Sequence, residues 1–494
     1  MKHTPAHPKN RRLKPMAGLI ALAFGAALPL AALPAHADEL SDLKAQMQML
    51  VQRLSELEAK QAAAPKAAPV AAVAPVAAVP SALQIDQNGV PLEPGAVTGV
   101  SLYNNGNTSL RMYGLVEATV SHASNQGANG ATTFGFQTAY FSGNRLGFDA
   151  EHALGFGEEL GLHNLKVISK LETEFELPTG NSDTVGVLFN RDAWLGLYSE
   201  ELGKITLGRQ NTLTRDFTAN WGDPFGSAEV GLKEGGYSNV NNFKQFIFYS
   251  GSANGTRVNS GIEWKKKFGD HVVAGLGYAF GSGGAGGSGD VGNGGSVPGD
   301  FTNGSTQAAS IAYNGLDVGP GKINSNISYD RAKVSDLIHQ STLVGGNYVV
   351  GQWRFNAGLA HYTAQQGVNN SMGTRTDNSW TTSMSYAPGN KMEYALGYQV
   401  MKGTHAGFGG SGNTLNPFGN TSQVTAVADG NKKTLYAAVF YHADKQTDFY
   451  LAADTFKTGG GWVTGDAQGN GNHYGIGKAY RGTFETAIGL RFKF

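Results

Sequence analysis

The strongest constraint on this chain is a pattern with a period of two. From Thr108 to the C-terminus, runs of about ten residues alternate apolar and polar side chains, the length a tilted strand needs to cross a bilayer. Lys166, Lys170, Glu172, Glu174 and Glu176 stand opposite Leu165, Val167, Leu171, Phe175 and Leu177. Met392, Tyr394, Leu396, Tyr398 and Val400 alternate with Lys391, Glu393, Ala395, Gly397 and Gln399. The closing stretch puts Phe484, Ile488, Leu490, Phe492 and Phe494 on one face and Glu485, Arg491 and Lys493 on the other. Successive side chains of a strand point to opposite faces, so each run has one apolar and one polar face. A soluble sheet would turn the apolar face onto a core. A membrane barrel would turn it to lipid and keep the charges in a wet lumen.

The connections decide between these. Short ones fall at residues 200–203, 268–270, 388–390 and 444–446. Long ones fall at 122–143, 211–255, 281–304, 403–430 and 458–482. Short turns at one end and long loops at the other are the asymmetry of an outer-membrane barrel, and Trp353, Trp380, Tyr386 and Tyr441 near strand ends suit its aromatic girdle. Counting residues 243–250 as a strand gives 17, whereas a barrel with both termini on the periplasmic side needs an even number. Assigning that run to the loop 211–255 leaves about 16 strands, enough to enclose an aqueous channel. So long a loop is more than a connection, and it is expected to fold into the lumen. The fold class is therefore all-β, a transmembrane barrel with an inward constriction loop.

Composition agrees. The 494 residues include 70 Gly and no Cys, so disulfides and thiolate metal sites are excluded. A mean hydropathy of −0.25 excludes a bundle of membrane helices. The formal net charge of zero offers no nucleic-acid footprint.

The N-terminal quarter reads differently. Lys2, Lys9, Arg11, Arg12 and Lys14 precede an apolar run, and Ala35-His36-Ala37 has the spacing of a signal-peptidase site. Residues 1–37 are expected to be a secretory signal, and Pro29 and Pro34 argue against the alternative of a spanning helix. Its removal leaves 33 basic and 38 acidic residues, a net charge of −5. Over residues 38–61, Leu40, Leu43, Met47, Leu50, Leu54 and Leu57 form an a/d heptad seam, which serves either an oligomer zipper or an amphipathic surface helix. Residues 62–107 read as an Ala/Pro-rich linker and residues 108–494 as the barrel domain.

Several segments resemble the general Gram-negative porins, especially the beta-proteobacterial type. Leu110-Arg111-Met112-Tyr113-Gly114-Leu115-Val116-Glu117-Ala118 is similar to their opening L-Y-G-x-V-D-A strand. Asn144-Arg145-Leu146-Gly147-Phe148 resembles S-R-x-G-F, and Asn190-Arg191-Asp192-Ala193-Trp194-Leu195-Gly196-Leu197 resembles N-R-Q-A-Y-V-G-L. Gly203-Lys204-Ile205-Thr206-Leu207-Gly208-Arg209-Gln210 resembles F-G-x-V-T-L-G-R-Q, and the terminal Gly489-Leu490-Arg491-Phe492-Lys493-Phe494 resembles G-L-R-H-x-F. The resemblance implies a homotrimer of 16-stranded barrels that passes small hydrophilic solutes or ions. It implies a basic wall of Arg145, Arg209 and Arg257 facing acids on the inward loop, here Asp216, Asp223, Glu229 and Glu234. Phe494, Phe492 and Leu490 would form the signal read by the barrel-assembly machinery. Opposed fixed charges across a narrow wet gap make a transverse field that orders water and orients dipolar solutes. The same charges could instead pair and brace the loop. The heptad helix and linker depart from the family pattern and look more like the periplasmic extension of sugar-specific porins.

Enzyme motifs fail. Residues 281–286 and 407–412 fit G-x-G-x-x-G but sit in loops with no following helix, and the 12 His have no ligand spacing. No catalytic residue, metal or cofactor is expected. The function expected is a passive outer-membrane channel. Two other readings remain open: a channel specific for sugars or organic acids, and a structural protein tethering the envelope through its N-terminal helix.

Overall fold

The computed structural model describes residues 99–124, 132–138, 140–218, 257–281, 302, 304–334, 337–408, 424–461 and 482–494, together with Gln52. The predicted signal and nearly all of the heptad helix lie outside the described residues, as does the run 243–250.

The alternating runs form strands. In chain order they are β1 (Val100–Asn104), β2 (Thr108–Ala123), β3 (Thr133–Thr138), β4 (Asn144–Ala153), β5 (Lys166–Phe175), β6 (Asp192–Ser199), β7 (Gly203–Asn211), β8 (Arg257–Phe268) and β9 (Val272–Ala279). There follow β10 (Thr306–Val318), β11 (Gly321–Val334), β12 (Leu337–Val350), β13 (Trp353–Gln365), β14 (Thr374–Tyr386), β15 (Met392–Phe408), β16 (Ala426–His442), β17 (Thr447–Gly460) and β18 (Gly482–Lys493). One short helix, α1 (Leu213–Thr218), follows β7. Strand β1 lies in the stretch expected as linker, and pairs with the start of β2 as a short exposed hairpin. Strand β3 caps the upper edge of β2. The other 16 strands make a closed antiparallel barrel.

The barrel closes where strand parity required, β18 against β2, with Leu490 opposite Ala118. Two backbone bonds extend that seam past the end of β18: Phe494 N–H to the Gly114 carbonyl at 3.0 Å, and Gly114 N–H to the Phe494 carbonyl at 2.8 Å.

Burial follows the period of two. Along β13 and β14 each residue alternates between an exposed and a covered face. Trp353, Phe355, Leu359 and Trp380 point outward, while Arg354, Asn356, Asp377 and Thr381 point inward. The outer apolar face removes no area from water in the isolated chain. It is stable only because lipid takes water's place, and the backbone groups, all paired between strands, suit that medium. Trp353 stacks on Tyr386 at 4.4 Å and on Phe355 at 5.9 Å, forming an outer belt at the lower ends of β13 and β14.

Turns of two residues join β10 to β11 and β12 to β13, and Gly319 and Gly351 supply the positive φ such turns need (57° and 55°). All the lower connections are short except residues 154–165. The opposite end carries the long connections, with one exception: β11 and β12 are joined by residues 335–336 alone.

Candidate pore constriction

The loop after β7 enters the barrel at once. Thr212 caps α1, its hydroxyl accepting the Arg215 N–H at 3.2 Å. Leu213 and Phe217, four residues apart on one helix face, are buried against Val273, Ala308 and Ala312. These three are inward residues of β9 and β10. Small residues make the close approach possible: a Cβ on Gly275 would lie 2.6 Å from Leu213 Cδ1.

Polar anchors complete the attachment. The Thr214 hydroxyl donates to the Asp330 carboxylate on β11. Asp216 pairs with Lys265 on β8 and accepts from Asn211 Nδ2 at 2.9 Å. Lys265 also reaches Glu263 at 2.9 Å. All these groups are covered, so each charge is held by a partner and not by water. The expected inward path is thus seen for residues 213–218. The rest of the loop, with Asp223, Glu229 and Glu234, lies outside the described residues.

The inner wall of β2 and β4–β6 is densely charged. Arg111 pairs with Asp149, and Arg191 bridges Glu172 and Glu174. Lys170 lies 3.4 Å from Asp192 and 3.6 Å from Glu172, and the Tyr113 hydroxyl donates to Glu172 at 2.6 Å. Arg145 belongs to this face. Its cross-strand partners are Leu115 and Glu174, both on the inward register, and its Nε donates to the Gly143 carbonyl at 3.1 Å.

Arg209 is placed differently. It pairs with Ala193, on the face that carries the exposed Leu195 and Leu207, so its register points outward. The cause is local. The β7–β8 register slips between Gly208 and Gln210, with Ser260 at φ 51° opposite the break. The Arg209 guanidinium turns to the Asn190 carbonyl at 2.8 Å and Asn259 Oδ1 at 2.5 Å, tying the approach to β6 to the start of β8. These two hydrogen bonds brace the wall at this point. Arg257 opens β8 opposite Asn211, beside the root of the inward loop. Of the seven predicted constriction charges, four lie among the described residues, and of these Arg145 and Asp216 are inward. Four further groups were missed from sequence: Arg191, Glu263, Lys265 and Asp330. For Glu263, Lys265 and Asp330 inward strand parity was the signal available, whereas Arg191 precedes β6 and offered none.

At the seam, Phe484, Ile488, Leu490 and Phe492 form the exposed outer face of β18. The Phe494 ring stacks on Phe492 at 5.9 Å and covers Gly114, where a Cβ would collide with it. The inward face is an ion cluster. Asp448 receives Arg491 at 2.6 Å, His442 at 2.7 Å and Lys493 at 3.1 Å.

Comparison with known proteins agrees with this architecture. The sequence pattern that defines the Gram-negative porins matches residues 67–461. An outer membrane porin protein of Bordetella pertussis is 26% identical over 172 residues, which span 32% of this chain and 43% of that protein. The solved anion-selective porin from Comamonas acidovorans superposes over 78% of this chain and all of its own length (100%), with a TM-score of 0.54 at 20% identity. OmpT of Vibrio cholerae covers 80% of this chain and 99% of its own, with a TM-score of 0.49 at 14% identity. With a closed 16-strand barrel and a match across most of its length, the chain belongs to the Gram-negative porin family and is a channel of the bacterial outer membrane.

Proposed function

We propose that this porin passes small hydrophilic solutes by passive diffusion and that charge at the constriction sets its preference. One observation carries the reading: the loop after β7 folds inward and seats α1 on the inner faces of β9 and β10, three strands around the barrel from the near edge of the charged wall of β2 and β4–β6. A solute must pass between a helix that narrows the lumen and a wall whose fixed charges orient water. Arg145 is an inward cation of that wall, its Nε donating to the Gly143 carbonyl at the edge of the lumen. Purified protein in planar bilayers should give stepwise currents, and liposomes holding it should swell in small sugars. A folded oligomer that conducts at no voltage refutes the proposal.

The family's usual trimer is proposed here too, with the heptad seam of residues 38–61 zipping subunits together in the periplasm after the signal is removed. Leu50→Asp would put a charge in that seam. It should lower the temperature at which oligomers dissociate in detergent, and an unchanged temperature would leave the barrel wall as the sole contact.

A further inference from the structure

A second segment also leaves the wall. Strand β3 pairs with Ala118–Ala123 of β2, and β4 pairs with Thr108–Leu115 of the same edge. Between them residues 140–143 turn into the lumen. The ladder position they abandon is filled by a side chain, Asn144 Oδ1 accepting the Glu117 N–H at 2.5 Å.

The turn is built, not slack. The Glu117 carboxylate accepts the N–H groups of Phe141 at 2.7 Å and Ser142 at 3.0 Å, and the Tyr450 hydroxyl at 2.7 Å. The Tyr140 hydroxyl donates to Asp454 at 2.5 Å. The Phe141 ring meets Tyr450 at 4.8 Å and Phe440 at 5.1 Å. Both aromatic residues are fully buried, over a floor that includes Ala438, Ala452 and Ala487. The segment therefore crosses β18 and β17 and reaches β16, about 14 Å at ordinary strand spacing. Two large rings fill the space between the turn and a wall of alanines interleaved with Tyr436, Phe440 and Tyr450, so they prop the turn away from it.

Its position is the second observation. Around the closed barrel, β16–β18 lie about half a circumference from β9–β11, where α1 is seated. We infer that residues 140–143 form a second inward jaw facing α1, with Tyr140 and Phe141 as the wedge that sets pore width from this side. The inference rests on the channel reading. It makes the narrowing two-sided: one side a loop helix, the other a detour of the wall. Without the wedge the turn settles closer to the wall and the opening widens.

The test uses the full mature chain in planar bilayers, as wild type, Phe141→Ala, Phe141→Leu and Glu117→Gln. The readouts are single-channel conductance and the size of polyethylene glycol that enters the pore. A merely structural role would move melting but neither readout. Phe141→Ala should raise conductance about 1.5-fold and admit larger polymers, with a smaller rise for Phe141→Leu. Glu117→Gln weakens the carboxylate's hold on two N–H groups and should widen the pore and increase its current noise. Unaltered conductance and cut-off in an assembled Phe141 variant overturn the jaw. Failure of all three variants to assemble overturns it as well, because the turn would then serve wall formation. A silent wild type removes the channel reading itself, whereas a conducting wild type with unaltered variants removes only the jaw.

Discussion

Truncating Phe217 to Ala tests whether α1 borders the conducting path. The helix has six residues, far too few to hold itself. Its place depends on four attachments: the Leu213 and Phe217 side chains, the Thr214–Asp330 hydrogen bond and the Asp216–Lys265 pair. Removing a buried Phe ring costs about 3–5 kcal/mol. A hydrogen bond to a charged group contributes about 1.5–3 kcal/mol. The ring is thus the largest apolar anchor, and its loss shifts the attached-to-detached ratio by about two to three and a half powers of ten. Single-channel recordings of Phe217→Ala should show higher mean conductance and more open-state noise, while the strand ladder keeps barrel melting nearly unchanged. Gly275→Val acts in the opposite direction. A Cβ there lies 2.6 Å from Leu213 Cδ1 and 3.2 Å from Phe217 Cε2. Carbon atoms rest about 3.5–4.0 Å apart, so the helix must move roughly 1 Å into the lumen. Its conductance should fall. Wild-type conductance and noise in both variants would refute the reasoning, and shifts of the same sign would show that helix position is not what the current senses.

Three further outcomes are expected. Arg145→Ala removes a fixed positive charge from the inward face and should move selectivity toward cations; an unchanged reversal potential in a salt gradient would place Arg145 off the path. Phe494→Ser exposes Gly114 and loses the stacking on Phe492, so the yield of heat-resistant barrel should drop several-fold while single-channel conductance stays the same. At the lower rim, Glu201 accepts both the His163 backbone N–H at 2.8 Å and its Nδ1 at 2.5 Å, clasping residues 154–165 to residues 200–202. That hydrogen bond, aided by the charges of Glu201 and Glu158, raises the His163 pKa and lowers that of Glu201. A raised histidine pKa gives a contribution complete below about 6.5 and lost as pH climbs through the folded value. The lowered Glu201 value sets the opposite limit, lost as pH falls through it. Amide protection in residues 200–202 should therefore peak in mildly acid solution and decline toward alkaline pH, and a His163→Ala profile of the same shape would sink the clasp.

Strand existence, facing and closure were legible because a period of two leaves a strong mark: Glu485, Arg491 and Lys493 could be assigned inward from the terminal stretch alone. The inward start of the 211–255 loop was legible from its length. The contacts of Arg209 were not. A motif match carries residue types but not facing, and Arg209 shares the strand parity of the exposed Leu207 while its guanidinium reaches Asn190 and Asn259. The detour at residues 140–143 escaped for another reason. Tyr140 and Phe141 fell within the long connection 122–143, and only the split pairing along β2 shows the turn they make. Lys265 and Asp330 sat on alternating strands as ordinary polar residues. Their role as anchors depends on a helix that their own sequence does not contain.

The seam between β18 and β2 also bears on assembly order. Closing a barrel means choosing one register out of several, late, when the first and last strands meet. A slip of a single residue would turn Glu485, Arg491 and Lys493 to the bilayer and strip Asp448 of two of its cations. Basic residues on the lipid face cost up to about 2–4 kcal/mol each, less toward the interface. Even with that discount the misaligned seam is disfavoured by a margin that populates it less than once in about a hundred closures. The ion cluster thus works as a checksum on the final step: charges spaced along the last strand reject a wrong seam before the barrel is sealed.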